Sequence, residues 1–118
     1  MKILSKIILL IFVDCWIIGF INGEGSFYVV KNGKVHRFVI EHTDKKALEI
    51  IKEYLNLKVK VSTVTIRGNR KQTYSISATV KEDITKVFNF IDKNNLLQGY
   101  KLEQYNKFKE SFLIKKKS

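Results

Sequence analysis

One carboxylate in the sequence is set apart by its neighbours. Glu24 stands between Gly23 and Gly25 at the end of the apolar run Trp16 to Ile21, with Gly19 four residues before Gly23. Glycines four apart on a helix strip side chains from one stripe, so a second backbone can approach closely there. If the partner is another copy of the same helix, the two Glu24 carboxylates come together. They repel, which raises their proton affinity unless a divalent cation compensates the charge. A few oxygen ligands completed by water and phosphate oxygens suit Mg²⁺ and phosphodiester hydrolysis better than Zn²⁺. Little else in the sequence competes. It carries two histidines and one cysteine, no glycine-rich phosphate loop and no recognisable Ser-His-Asp arrangement.

The elements that must position Glu24 follow from patterning. Asp14 is expected to cap a helix whose apolar face is Trp16, Ile17, Phe20 and Ile21, with Gly25 as its stop. Two β-rich runs follow, "SFYVVK" and "KVHRFVIEH", joined by Asn32-Gly33, a dipeptide suited to a two-residue type I′ turn. Leu48, Ile51 and Leu55 then fall on one helical face, capped by Thr43 or Asp44. "KVKVSTVTI" and "QTYSISATV" form a second predicted hairpin around the basic connection "RGNRK". Ile84, Val87, Phe88 and Ile91 mark a third amphipathic helix, and a last helix is predicted from about Lys101 to Leu113. The order is α-β-β-α-β-β-α-α, an α+β class in which both hairpins share one antiparallel sheet with helices on a single face.

A chain of 118 residues with 45% hydrophobic composition fits one domain, residues 1–118, with 1–13 as an apolar leader of unassigned role. Cys15 excludes an internal disulfide and reads as a small core residue in a reducing compartment. The segment Ile7 to Val13 raises a signal-peptide or membrane reading. Asp14 weakens it, the stretch Ile7 to Ile21 is shorter than the roughly 20 residues of a spanning helix, and no small-residue cleavage site follows. A soluble protein with no membrane partner is expected. Abundant Lys, Ile, Asn, Phe and Tyr with no proline fit an A/T-rich genome, such as a mitochondrial one.

The net charge of +11 calls for a polyanionic partner, and its placement favours nucleic acid. No acidic residue lies between Glu53 and Glu82, an interval holding Lys58, Lys60, Arg67, Arg70, Lys71 and Lys81. Strand alternation turns Phe27, Val29, Phe38, Ile40, Tyr74 and Ile76 toward the helices and Tyr28, Arg37, Thr73, Ser75 and Ser77 outward. With Lys31, Lys34, Lys60, Arg67, Arg70 and Lys71, that outward set is the expected surface for double-stranded DNA: arginine reads guanine edges and lysine neutralises phosphate.

The sequence also resembles a known family. "IIGFINGEG", Ile17 to Gly25, is similar to the signature of LAGLIDADG homing endonucleases, and the likeness extends through Phe38 to His42 and "LLQGYKLEQYNKFK", Leu96 to Lys109. It implies the α-β-β-α-β-β-α fold, a saddle-shaped sheet gripping DNA, and Mg²⁺-dependent double-strand cleavage at a long, pseudo-palindromic site by a homodimer. It makes Glu24 the metal ligand, Lys101 the lysine that stabilises developing phosphate charge, and His42 and Lys46 organisers of active-site water. Asn22 stands where the motif usually has Asp, at a position that does not bind metal. Trp16, Gly19, Phe20 and Gly23 become the dimer interface. The alternatives are a non-cleaving intron maturase or binding remnant, with intron RNA as partner, half of a longer two-motif protein, and a small membrane-associated basic protein.

Overall fold

The structure, a computed structural model, describes residues 2–30, 33–64, 68 and 71–117, with side chains between residues 5 and 114. Helix α1 runs unbroken over Lys2–Glu24, so the apolar leader is its first half. Asp14 is therefore not a cap. No glycine or proline interrupts Ile7 to Val13, the helix passes through, and the carboxylate finds tertiary partners instead. Asp14 is 6% exposed, accepts from the Tyr54 hydroxyl at 2.5 Å and pairs with Lys93 at 3.4 Å. The inward face is Asp14, Ile17, Ile18 and Ile21: Ile17 and Ile21 are buried as expected, whereas Trp16 and Phe20 give way to Asp14 and Ile18. Trp16 and Cys15 are exposed and Phe20 is half-buried, so Cys15 is no core residue.

Strand β1 (Gly25–Val30) starts where α1 stops. The junction requires glycine, because a Cβ on Gly25 would stand 2.8 Å from the Ile21 carbonyl oxygen. Strand β2 (Val35–His42) returns antiparallel, pairing Phe27 with Phe38 and Gly25 with Ile40. Gly33 holds φ at +85°, as a turn of the expected kind requires, whereas Asn32 lies outside the described residues. Helix α2 (Lys45–Leu55) is capped by Asp44, whose side chain accepts from the Ala47 amide at 3.3 Å.

Strand β3 (Ser62–Val64) starts four residues later than the run from Lys58 predicts, and Thr65 and Ile66 of that run lie outside the described residues. The amides of Lys58 and Val59 donate to the two carboxylate oxygens of fully buried Asp83, at 2.8 and 3.1 Å, and so bend the chain away from a ladder. Strand β4 (Thr73–Ala78) lies between β2 and β3, giving an antiparallel sheet ordered β1-β2-β4-β3. Helices α3 (Lys81–Asn94) and α4 (Gly99–Lys117) complete the order α-β-β-α-β-β-α-α. Helix α4 begins two residues before Lys101 and continues past Leu113.

Phe27, Phe38, Ile40 and Ile76 pack from one sheet face against Leu48, Ile51, Ile84, Val87, Ile91 and Phe108 of the helices. Val29 shares their parity yet is 37% exposed, because the end of edge strand β1 borders an open pocket beside Tyr100 and Gln104. The segment Ser5–Glu24 is long and apolar enough to cross a membrane by length and composition, more than the count from Ile7 to Ile21 allows. Its second half is committed elsewhere. Ile17, Ile18 and Ile21 are buried in the domain core.

The Tyr54 contact carries a pH prediction. Burial, then the hydrogen bond and charge of Asp14, push the Tyr54 phenol up to about 12, and Tyr105 is raised by burial and Asp92. Below pH 10 both states are protonated and the stabilisation is complete; between about 10 and 12 the unfolded chain ionises first, so stability falls with rising pH. Urea midpoints at pH 9 and pH 11.5 should show this decline. In Tyr54→Phe the pH 9 midpoint should drop and the decline should flatten; an equally steep decline would deny Tyr54 its part.

Candidate active site and nucleic-acid interface

Glu24 ends α1 with its side chain exposed. The C-terminal carbonyls of a helix carry partial negative charge, which adds to the carboxylate and attracts a cation. Lys101, half-buried on α4, donates its Nζ to the Gly25 carbonyl and so stands one residue from Glu24. Two more contacts fix α4 at this junction. Gln104 Oε1 accepts from the Phe27 amide at 3.1 Å, and the Gln98 amide donates to Asn22 Oδ1 at 3.4 Å. Asn22 thus holds the entry to α4, work that an amide oxygen does without charge.

The β1–β2 register carries a residue that sequence reasoning missed. Gly25 pairs with Ile40, so Glu41 is the neighbour of Glu24, and both line an open pocket of about 310 Å³ with Ser26, Tyr28 and Val39. Alternation was the available signal: Arg37, Val39 and Glu41 share one parity. Among the described residues no group of three His, Cys, Asp or Glu forms a metal cage.

His42 and Lys46 are not drawn into this cluster: among the described residues, neither hydrogen-bonds to Glu24 or Lys101. His42 Nδ1 accepts from the Asp44 amide at 3.0 Å, leaving the ring proton on Nε2, and the ring packs on Phe20 at 4.9 Å. Lys46 is exposed in the first turn of α2.

The outward sheet face is built from Tyr28, Arg37, Val39, Glu41, Thr73, Ser75 and Ser77 by register. Tyr28 is exposed, and the Arg37 guanidinium lies 6.0 Å from its ring centroid. Arg37 Nε is buried and has no hydrogen-bond partner among the described residues. Ser75 points outward but is only 8% exposed, because interior strand β4 places it between Glu41 and Ser62. Lys34, Lys60 and Lys71 are exposed around the sheet ends. Lys31, Arg67 and Arg70 lie outside the described residues.

A four-stranded antiparallel sheet with its helices on one face, and a first helix that delivers a carboxylate to the sheet edge, is the homing-endonuclease fold. The chain matches the LAGLIDADG endonuclease family over residues 17–112 and belongs to it. It is 31% identical over 99 residues to a probable intron-encoded endonuclease, aI3, of Kluyveromyces lactis; the match covers 84% of this chain and 23% of the relative, about a quarter of its length. Among solved structures it is similar to the archaeal intron-encoded homing endonuclease I-Vdi141I complexed with DNA, with TM-score 0.68 and 27% identity over 84% of this chain and 65% of that one. It is also similar to the meganuclease I-SmaMI bound to an uncleaved DNA target with calcium ions, with TM-score 0.66 and 31% identity over 86% of this chain and 37% of that one.

Proposed function

We propose that the chain is a site-specific, divalent-cation-dependent DNA endonuclease that makes double-strand breaks at a long, pseudo-palindromic site as a homodimer. The observation that carries the reading is the exposed Glu24 carboxylate at the end of α1, with Lys101 held at the next carbonyl. The donor set fits Mg²⁺: each chain brings the Glu24 carboxylate to an open pocket, and no closed cage forms among the described residues, so water, phosphate and a second Glu24 would complete the ligands. When bound, Mg²⁺ would supply an activated water and charge neutralisation at the leaving oxygen.

Glu24 would hold the cation, and Lys101 would offset charge that develops on the scissile phosphate. His42 offers its Nε2–H, and Lys46 its ammonium, to water and phosphate at the rim. The exposed lysines Lys34, Lys60 and Lys71 neutralise the DNA backbone, a role extended to Lys31, Arg67 and Arg70, while the outward strand residues face the bases. A homologue encoded in a yeast intron, together with an A/T-rich residue composition, supports an organellar origin. The deciding experiment is selection of cleaved sites from a random duplex library with Mg²⁺. A single selected site, cut on both strands, is expected; a chain that binds duplex and never cuts would be the maturase or remnant, and intron RNA would replace DNA as the partner to test.

The homodimer rests on the exposed stripe of α1. A Cβ at Gly19 or Gly23 would meet nothing within 4 Å, and Trp16 is 43% exposed beside them, stacked edge-on with Phe20 at 5.6 Å. Gly19→Leu therefore starts its side chain in open space on the exposed stripe and improves helix propensity by about 0.5–1 kcal/mol. It should convert the dimer to monomer in sedimentation equilibrium while the thermal midpoint holds or rises. A variant that remains dimeric and fully active would move the interface elsewhere.

A further inference from the structure

On the proposed DNA face one residue has the wrong charge for phosphate. Glu41 lies outward on β2, exposed, among serine, threonine, tyrosine, valine and arginine. Among the described residues no salt bridge involves it. On a surface that binds a polyanion, a solvated carboxylate is repelled by the backbone unless it meets the hydrogen-bond donors that a duplex presents, the exocyclic amines of its bases. In the major groove the cytosine N4 amine is the partner that suits a carboxylate, which can accept and cannot donate.

We propose that Glu41 is a specificity-determining residue that reads a cytosine in the half-site, at a position next to the cleaved phosphates. The proposal rests on the DNA-binding reading above. Its placement comes from the register: Glu41 and Glu24 line the same pocket, so the base that Glu41 reads lies beside the phosphate that Glu24 serves. Arg37 is two outward positions before Glu41 on β2 and presents a guanidinium suited to the N7 and O6 acceptors of guanine. Four residues of strand span about 13 Å, close to four base-pair steps of about 3.4 Å, so the arginine-read guanine lies about four base pairs outward of the cytosine. Val39 stands between them with an apolar surface and no hydrogen-bonding group.

The experiment is binding selection from a random duplex library with Ca²⁺, for the wild type, Glu41→Gln and Arg37→Ala. The wild type should require cytosine at one position in each half-site and guanine about four base pairs outward. Glu41→Gln, which can donate and accept toward the N6 and N7 edge of adenine, should lose about tenfold or more of the cytosine preference and move it to adenine. Arg37→Ala should relax only the guanine. Unchanged base preference in Glu41→Gln, with wild-type selection intact, would overturn the inference alone. The same result with lost Mg²⁺ cleavage would make Glu41 a cation ligand instead. A wild type that retains no duplex from the library would overturn the DNA reading itself.

Discussion

Glu24→Gln is expected to bind its selected duplex within about fivefold of wild type and to cut it about 10³-fold more slowly or worse. Glutamine keeps the length and one carbonyl oxygen of the side chain and removes the charge that would hold a divalent cation. Binding should survive because Glu24 is not among the basic and polar groups proposed to hold the duplex. The exposed side chain makes no contact that the fold needs, so circular dichroism and the thermal midpoint should match wild type. Lys101 provides the contrast. Its ammonium is tied to the Gly25 carbonyl, so Lys101→Met removes both a charge beside the α1–β1 junction and a tether between α4 and that junction. A single-turnover comparison with Mg²⁺ decides the first case: a Glu24→Gln enzyme that cuts at near wild-type rate would take Glu24 out of the mechanism.

Local sequence carried much of the architecture because most elements are decided by short-range rules. Leu48, Ile51 and Leu55, and Ile84, Val87, Phe88 and Ile91, are buried as their helical spacing requires, and Gly33 takes the positive φ of its turn. The failures came where distant partners override local preference. Asp14 has the composition of a cap but is held mid-helix by Tyr54, 40 residues away in sequence. Val59 and Val61 have strand propensity, yet Asp83, more than 20 residues downstream, takes the amides of residues 58 and 59. Site residues divide the same way. Glu24 was legible as a candidate because its neighbours are glycines, and Lys101 as a candidate came with the family resemblance; the placement of Glu41 on the same pocket as Glu24 depends on a register that no run of residues displays. The α1 face was half right, with Ile17 and Ile21 buried, because an apolar helix offers several stripes and only packing in the domain selects Ile18 over Trp16 and Phe20.

The largest loss of stability from a single small change is expected at Asp83. It is fully buried, and each carboxylate oxygen accepts a backbone amide, from Lys58 at 2.8 Å and from Val59 at 3.1 Å. It also lies in the first turn of α3, where a negative charge meets the positive end of the helix dipole. Asp83→Asn conserves volume but turns an NH₂ group toward one of the two amide donors. That leaves a buried N–H without an acceptor, places two donors face to face and removes the charge that strengthened the surviving bond. The cost is about 3 kcal/mol, a large part of the stability of a small domain. Because the lost contact fixes the segment that leads into β3, the loss should extend to the second hairpin: amide exchange of residues 58–64 should accelerate more than that of β1 and β2. Asp83→Ala, which frees both amides and leaves a void, should be no better than the asparagine variant. Urea unfolding of the three proteins measures this, and an Asp83→Asn midpoint equal to wild type would show that the two amides find other acceptors at no cost.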